Sequence, residues 1–226
     1  MQELNPVVLL LTNWLNHVVK EQDHKTQAVI LEAARKVFIR DGFDGARMQD
    51  IANVAGINKA LLHYYYKNKE SLFNLVFEDA FAAFVPQIHA IFSGNGDAVE
   101  KLCKYVEAHV ELLLQKPDLP TFVIHEIHRD PDRFFNNLIG KMPGPPPFAS
   151  FMGQLMQEMS EGKIRQMDPR FVWMNVMAMT VFPFVAAPLM SRMLLTDSET
   201  YHTLLKERVS SIQFFIKSSL LIHESN

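Results

Sequence analysis

Residues 48–62 read MQDIANVAGINKALL, and this short stretch restricts the fold more than any other. Met48, Ile51, Ala52 and Ala55 recur at i, i+3, i+4 and i+7, the spacing of one helix face. Gly56 stops the run, and Asn58 stands ready to cap another helix immediately afterwards. Two short helices joined by a tight glycine turn form a helix-turn-helix. Upstream, in TQAVILEAARKVFIRDGF, Ile30, Ala34, Val37 and Phe38 share a face and Gly42 ends the helix. A three-helix head over residues 23–70 follows, with an extension at 1–22 before it and a body at 71–226 after it.

The body reads as helix throughout, so the expected fold class is all-α. Strand-like alternation is absent, and the breaks are helix punctuation. Asp97 with Glu100 opens a helix that closes before Pro117. Asp130-Pro131 and Asp168-Pro169 each put an N-cap before a proline at the first helical position. Thr196 with Glu199 reads as a capping box for a last helix running to about Leu221. GKMPGPPP, residues 140–147, has to be a loop, because its prolines remove donors and fix φ. In the extension, Val7, Leu11, Trp14, Leu15 and Val18 suit one face of a short helix, either an accessory element or upstream sequence.

Charge and cysteine narrow the function. Eight Lys/Arg face six Asp/Glu between Asp23 and Glu70, a basic head in a chain of net charge -3. That imbalance points weakly to a polyanionic partner. Cys103 is the only cysteine, which excludes an intramolecular disulfide and fits a reducing cytosol. Leu102, Val106 and Val110 around it mark a buried structural thiol. The N-terminus lacks the basic start and small-residue cleavage site of a signal peptide, so a cytoplasmic location is expected.

Residues 171–190, FVWMNVMAMTVFPFVAAPLM, carry no charge and reach the length of a membrane span. Pro183, Pro188, Asn175 and Thr180 argue for a helix buried by its own domain and a partner subunit instead. His125 and His128 are three apart, where the metalloprotease motif needs four, and no third ligand is identifiable. Glycine-rich phosphate loops, nucleophile elbows and C-x-x-C pairs are missing. No catalytic residue, metal or cofactor is assigned, and an enzyme is not expected.

The third helix carries the chemistry. Leu62 and Tyr66, four apart, would pack inward with Ile57, leaving Lys59, Ala60, Leu61, His63 and Tyr64 outward. Small and polar side chains on such a helix can enter a major groove and meet base edges. Tyr64 and Lys69 suit the flanking phosphates, one by its hydroxyl and one by its charge. Arg47, Gln49 and Asn58 complete the expected contact set.

At these residues the chain resembles the tetracycline-repressor (TetR) family. The family pattern I-L-x-A-A, L-F-x-x-x-G, then I-A-x-x-A-G-V-S-x-x-x-x-Y-x-x-F-x-x-K-x-x-L appears here as ILEAARKVFIRDGF and IANVAGINKALLHYYYKNKESLF. Arg47 replaces the family's Ser or Thr before the second helix, and His63 replaces the aromatic before the phosphate-binding tyrosine. The resemblance implies a dimeric, ligand-responsive repressor whose two third helices enter successive major grooves of a palindromic operator. It implies that the last two long helices, roughly 169–194 and 198–221, pair with those of a second copy, with Leu205, Ile212, Ile216 and Ser219 facing the partner. It also implies an apolar or amphipathic effector, for which Phe122, His125, Met152, Met156, Trp173 and Phe182 are the right residue types. The alternative is a DNA-binding protein whose body binds a protein partner.

Overall fold

Glycine and asparagine set the limits of the head. In the computed structural model, which describes residues 6–222 with side chains at residue 17 and from residue 20 onward, the first helix, α1 (Pro6–Gly45), breaks at Gly42. Gly42 has φ 67° and ψ 178°, a conformation open to glycine and strained for other residues. The short helix expected over 7–18 is the start of this one element; the face assigned to Val7, Leu11, Trp14, Leu15 and Val18 lies outside the described side chains. Ile30, Ala34, Val37 and Phe38 are fully buried, as the periodicity predicts.

α2 (Met48–Ala55) stops at Gly56, whose left-handed backbone (φ 67°, ψ 28°) directs its N–H to the carbonyls of Ala52 and Asn53. Asn58 Oδ1 accepts the Leu61 N–H at 2.7 Å and starts α3 (Lys59–Tyr65). Asn68 does the same for Ser71 at 2.8 Å as α4 (Lys69–Phe81) begins. Phe73 of α4 meets Phe38 and Phe43 edge-on, each at 5.1 Å, and closes the core under the turn. The head unit runs to Asp79 and the body begins at Ala80.

In the body, α5 (Phe84–Ser93), α9 (Phe148–Ser160), α10 (Pro169–Val185) and α12 (Ser198–Leu220) all pack on α6 (Ala98–Gln115). Burial of eleven of the 18 residues of α6 makes it the axis of the body. Its first turn is capped twice. Asp97 accepts the Glu100 N–H at 2.7 Å, and the carboxylate of Glu158 on α9 accepts the Ala98 N–H at 3.0 and 3.1 Å. Gln154 then bridges two buried charges, donating to Glu158 at 2.7 Å and accepting from Lys101 at 2.8 Å. Satisfied in this way, the pair is tolerable in the core. α7 (Leu119–Arg129) and α8 (Pro131–Ile139) pack on each other, and residues 140–147 form the loop from α8 to α9.

The Asp-Pro starts hold: Asp130 caps α8 and Asp168 caps α10, each with proline in the first turn. Three expectations are corrected. Asp197, not Thr196, caps α12, accepting the Thr200 N–H at 2.7 Å. The helix expected over 169–194 is two helices, α10 and α11 (Ala187–Met193), bent by 81° at Ala186. Pro183 contributes by lacking the N–H that Met179 O would accept; Arg208 Nε donates to that carbonyl at 3.4 Å instead. Finally, Leu205, Ile212 and Ile216 do not face outward. They are at most 5% exposed within one chain, and α12 packs along α6. No single helix among the described residues is long and apolar enough to cross a membrane.

Candidate nucleic-acid interface

α3 is held from beneath by Leu62, which is completely buried, and from its start by the Asn58 cap. Lys59, Ala60, His63 and Tyr64 are exposed on it, while Leu61 is half-buried. Lys59 and His63 lie four apart, as do Ala60 and Tyr64, so two adjacent stripes run along the outer face. His63 Nδ1 lies 3.3 Å from the Lys67 carbonyl, which orients the ring at the helix end.

The three tyrosines divide the work between them. Tyr64 keeps 77% of its surface, with its ring edge-to-face against Tyr65 at 5.3 Å. Tyr65 turns back and donates its hydroxyl to Asp23 Oδ1 at 2.7 Å, tying α1 to α3. That bond to the neutral phenol holds the Tyr65 pKa above its usual value. Tyr66 ends the helix with its N–H on Leu62 O and is half-buried, and burial raises its pKa. One tyrosine is outward, one is a latch and one is packing.

Arg47 is exposed at the start of α2; its carbonyl accepts the N–H groups of Asp50 and Ile51, and its side chain makes no capping bond. Gln49, also exposed, donates to Asn53 Oδ1 one turn on at 2.9 Å. Lys69 has a different task from the phosphate contact expected of it. Its ammonium donates to the carbonyls of Phe43, Ala46 and Asp44 at 2.6, 3.0 and 3.3 Å and sits 4.4 Å above the Phe43 ring. All three donors are committed, so a phosphate could bind only by displacing one. Sequence reasoning missed this because backbone carbonyls leave no residue-type signal.

The six residues considered for an effector differ in burial and surroundings. Met152 and Trp173 border the aromatic core around Phe92, Tyr105 and Phe151. Phe122 is buried on α7, while His125, Met156 and Phe182 are exposed. A separate cavity of about 240 Å³ lies between α10 and α12, walled by Met167, Asn175, Met179, Phe215 and Ser219 and by none of the six. His128 Nδ1 lies 2.8 Å from Ile124 O. No three His, Cys, Asp or Glu side chains converge in metal-binding geometry among the described residues.

Residues 30–76 match the family profile described as bacterial regulatory proteins, tetR family. The HTH-type transcriptional repressor NicS of Pseudomonas putida is 41% identical over 64 residues, covering 28% of this chain and 30% of that one. The matched stretch spans between 30% and 46% of the first curated relatives. Among solved structures, FadR from Bacillus subtilis in complex with stearoyl-CoA has a TM-score of 0.58 at 19% identity, over 87% of this chain and 99% of that one. AibR in complex with isovaleryl coenzyme A and operator DNA has a TM-score of 0.53 at 22% identity, over 70% and 85%. At such identities the structural likeness establishes the fold alone.

Proposed function

We propose that this chain, whose residues 30–76 match the profile of the tetR family of bacterial regulatory proteins, is a DNA-binding transcriptional repressor of that family, homodimeric, released from a palindromic operator by a small apolar or amphipathic molecule. The observation that carries this reading is the outer face of α3, rigidly seated yet exposing Lys59, Ala60, His63 and Tyr64. Lys59 and His63 reach base edges, Ala60 allows close approach, and the Tyr64 hydroxyl and Arg47 guanidinium hold phosphates. Lys69 is assigned instead to positioning, because it fixes the turn between α1 and α2.

Dimerisation is supported by exposed apolar side chains on α10 and α12. Phe171, Met174, Phe182, Phe214 and Phe215 each keep between 55% and 67% of their surface. A patch of this kind is rare on a monomer, and a second copy related by a two-fold axis would cover it. Two heads then meet half-sites about one helical turn apart. For the effector, the ligands named with FadR and AibR are acyl-CoA molecules, which agrees with an amphipathic class. A coupling of about 1–3 kcal/mol, or roughly 5–150-fold in DNA affinity, is expected.

The test is selection of bound fragments from genomic DNA of the source organism, followed by a small-molecule screen for release. A single inverted-repeat motif, lost on adding a molecule that binds the body, is the expected result. Uniform, salt-sensitive binding to all DNA with no recovered motif overturns the proposal.

A further inference from the structure

The core of the body contains a polar pair that the fold itself does not require. Tyr105 and His109, one turn apart on α6, are 4% and 9% exposed, and Tyr105 Oη lies 2.7 Å from His109 Nδ1. The Phe84 ring lies against the imidazole at 5.0 Å, and the Trp173 ring lies 4.9 Å from that of Tyr105. Met177 Sδ is the other neighbour of the phenol, at 2.9 Å. One phenolic proton thus has two candidate acceptors. An imidazole nitrogen accepts far better than a thioether, so the proton points to Nδ1 and the neutral ring carries its own hydrogen on Nε2. Burial keeps the ring neutral, pushing the His109 pKa down to about 4.

Among the described residues, the hydrogen bond of His109 is the one at Nδ1, and Nε2 makes none. No sealed side-chain nitrogen or oxygen among the described residues lacks a partner. Nε2 therefore lies at the small opening that His109 retains, and its N–H is an unused donor among aromatic rings.

We infer that this N–H is the polar handle for an uncharged, carbonyl-bearing apolar molecule, with the Phe84 ring beside the imidazole and Trp173 against its hydrogen-bonded partner Tyr105. The inference rests on the reading that the body takes a small effector. A carboxylate placed here would lose its hydration with no cation to meet it. A pure hydrocarbon would leave the N–H unpaired. A ketone, ester, amide or thioester carbonyl avoids both penalties.

The experiment uses the full chain in a Trp14→Phe background, so that Trp173 is the sole tryptophan. Its fluorescence quenching is titrated with acetophenone, isopropylbenzene and benzoate. Acetophenone should bind about ten-fold more tightly than either of the others. His109→Phe should erase that preference without lowering affinity for isopropylbenzene, and His109→Gln should retain it. A ¹⁵N shift of His109 Nε2 on adding acetophenone to the His109-containing protein gives an independent reading. Equal affinity for all three probes, binding of none, or a preference that survives His109→Phe overturns the inference. If a screened molecule releases DNA and binds His109→Phe with undiminished affinity, the effector reading stands and this inference alone falls. If neither these probes nor any screened molecule binds the body, both fall.

Discussion

Tyr64, Tyr65 and Tyr66 are adjacent, yet each tyrosine's environment sets a different consequence of losing its hydroxyl. Tyr64→Phe should weaken binding to operator and random DNA alike, with little change in salt dependence, because a phosphate contact is lost but no charge. Competition with randomised duplex checks this; a shifted preferred sequence instead would place Tyr64 at a base edge. Lys69→Met should cost the head about 2–3 kcal/mol in urea denaturation, through loss of charge-assisted hydrogen bonds to the turn carbonyls. The slope of log affinity against log salt should not move in that variant. Arg47→Ala should lower the slope by about one, whereas Lys59→Ala should relax the preference at its own base pair at a cost of about 1–3 kcal/mol. For His109 the sign follows from its pKa of about 4 against about 6.5 in the unfolded chain. Between those values the unfolded chain binds a proton that the folded chain refuses. Stability therefore falls as pH drops from about 6.5 towards 4, by about 1.4 kcal/mol per unit from this group. His109→Gln should flatten that part of a stability-against-pH curve.

At the scale of the element, α12 has two apolar stripes with opposite duties. Ile212, 1% exposed, packs into the core with Ile216 and Leu220, whereas Phe214 and Phe215 are 67% and 55% exposed. Ile212→Asp buries an unpaired charge and should cost about 4 kcal/mol or more, unfolding the body as followed by circular dichroism. Phe214→Asp should leave the helical signal intact. Sequence alone could not separate the stripes, because both are apolar at helical spacing and only the chain's own packing decides which one α6 covers. The Asp-Pro starts were legible because a cap is a local matter of two or three residues. The 81° break after Val185 was not, since a proline is compatible with either a kink or a helix start. α3 was legible down to its cap, for its whole design lies within ten residues, but the Lys69 carbonyl contacts span more than twenty. Leu195 is a further local oddity, with φ 54° and 93% exposure in the turn before α12. Leu195→Gly should raise the melting stability by about 0.5–1 kcal/mol by relieving that backbone; a fall would show that the leucine makes a contact worth keeping.

For the whole molecule, the decisive quantity is the mass in solution. Sedimentation should report a dimer for the native chain and a folded monomer for the Phe171→Asp, Phe214→Asp pair, and that monomer should lose its hold on a palindrome while keeping weak non-specific binding. A double variant that remains dimeric would move the interface off α10 and α12. The cap on α6 has a consequence in time. Ala98 donates its amide hydrogen to a carboxylate 60 residues further along the chain, so that hydrogen is shielded only while α9 is docked. Exchange of the Ala98 amide with deuterated water should therefore follow the undocking of α9, faster than amides deep in α6 and slower than exposed loop amides. A single backbone proton becomes a clock for how often the body opens.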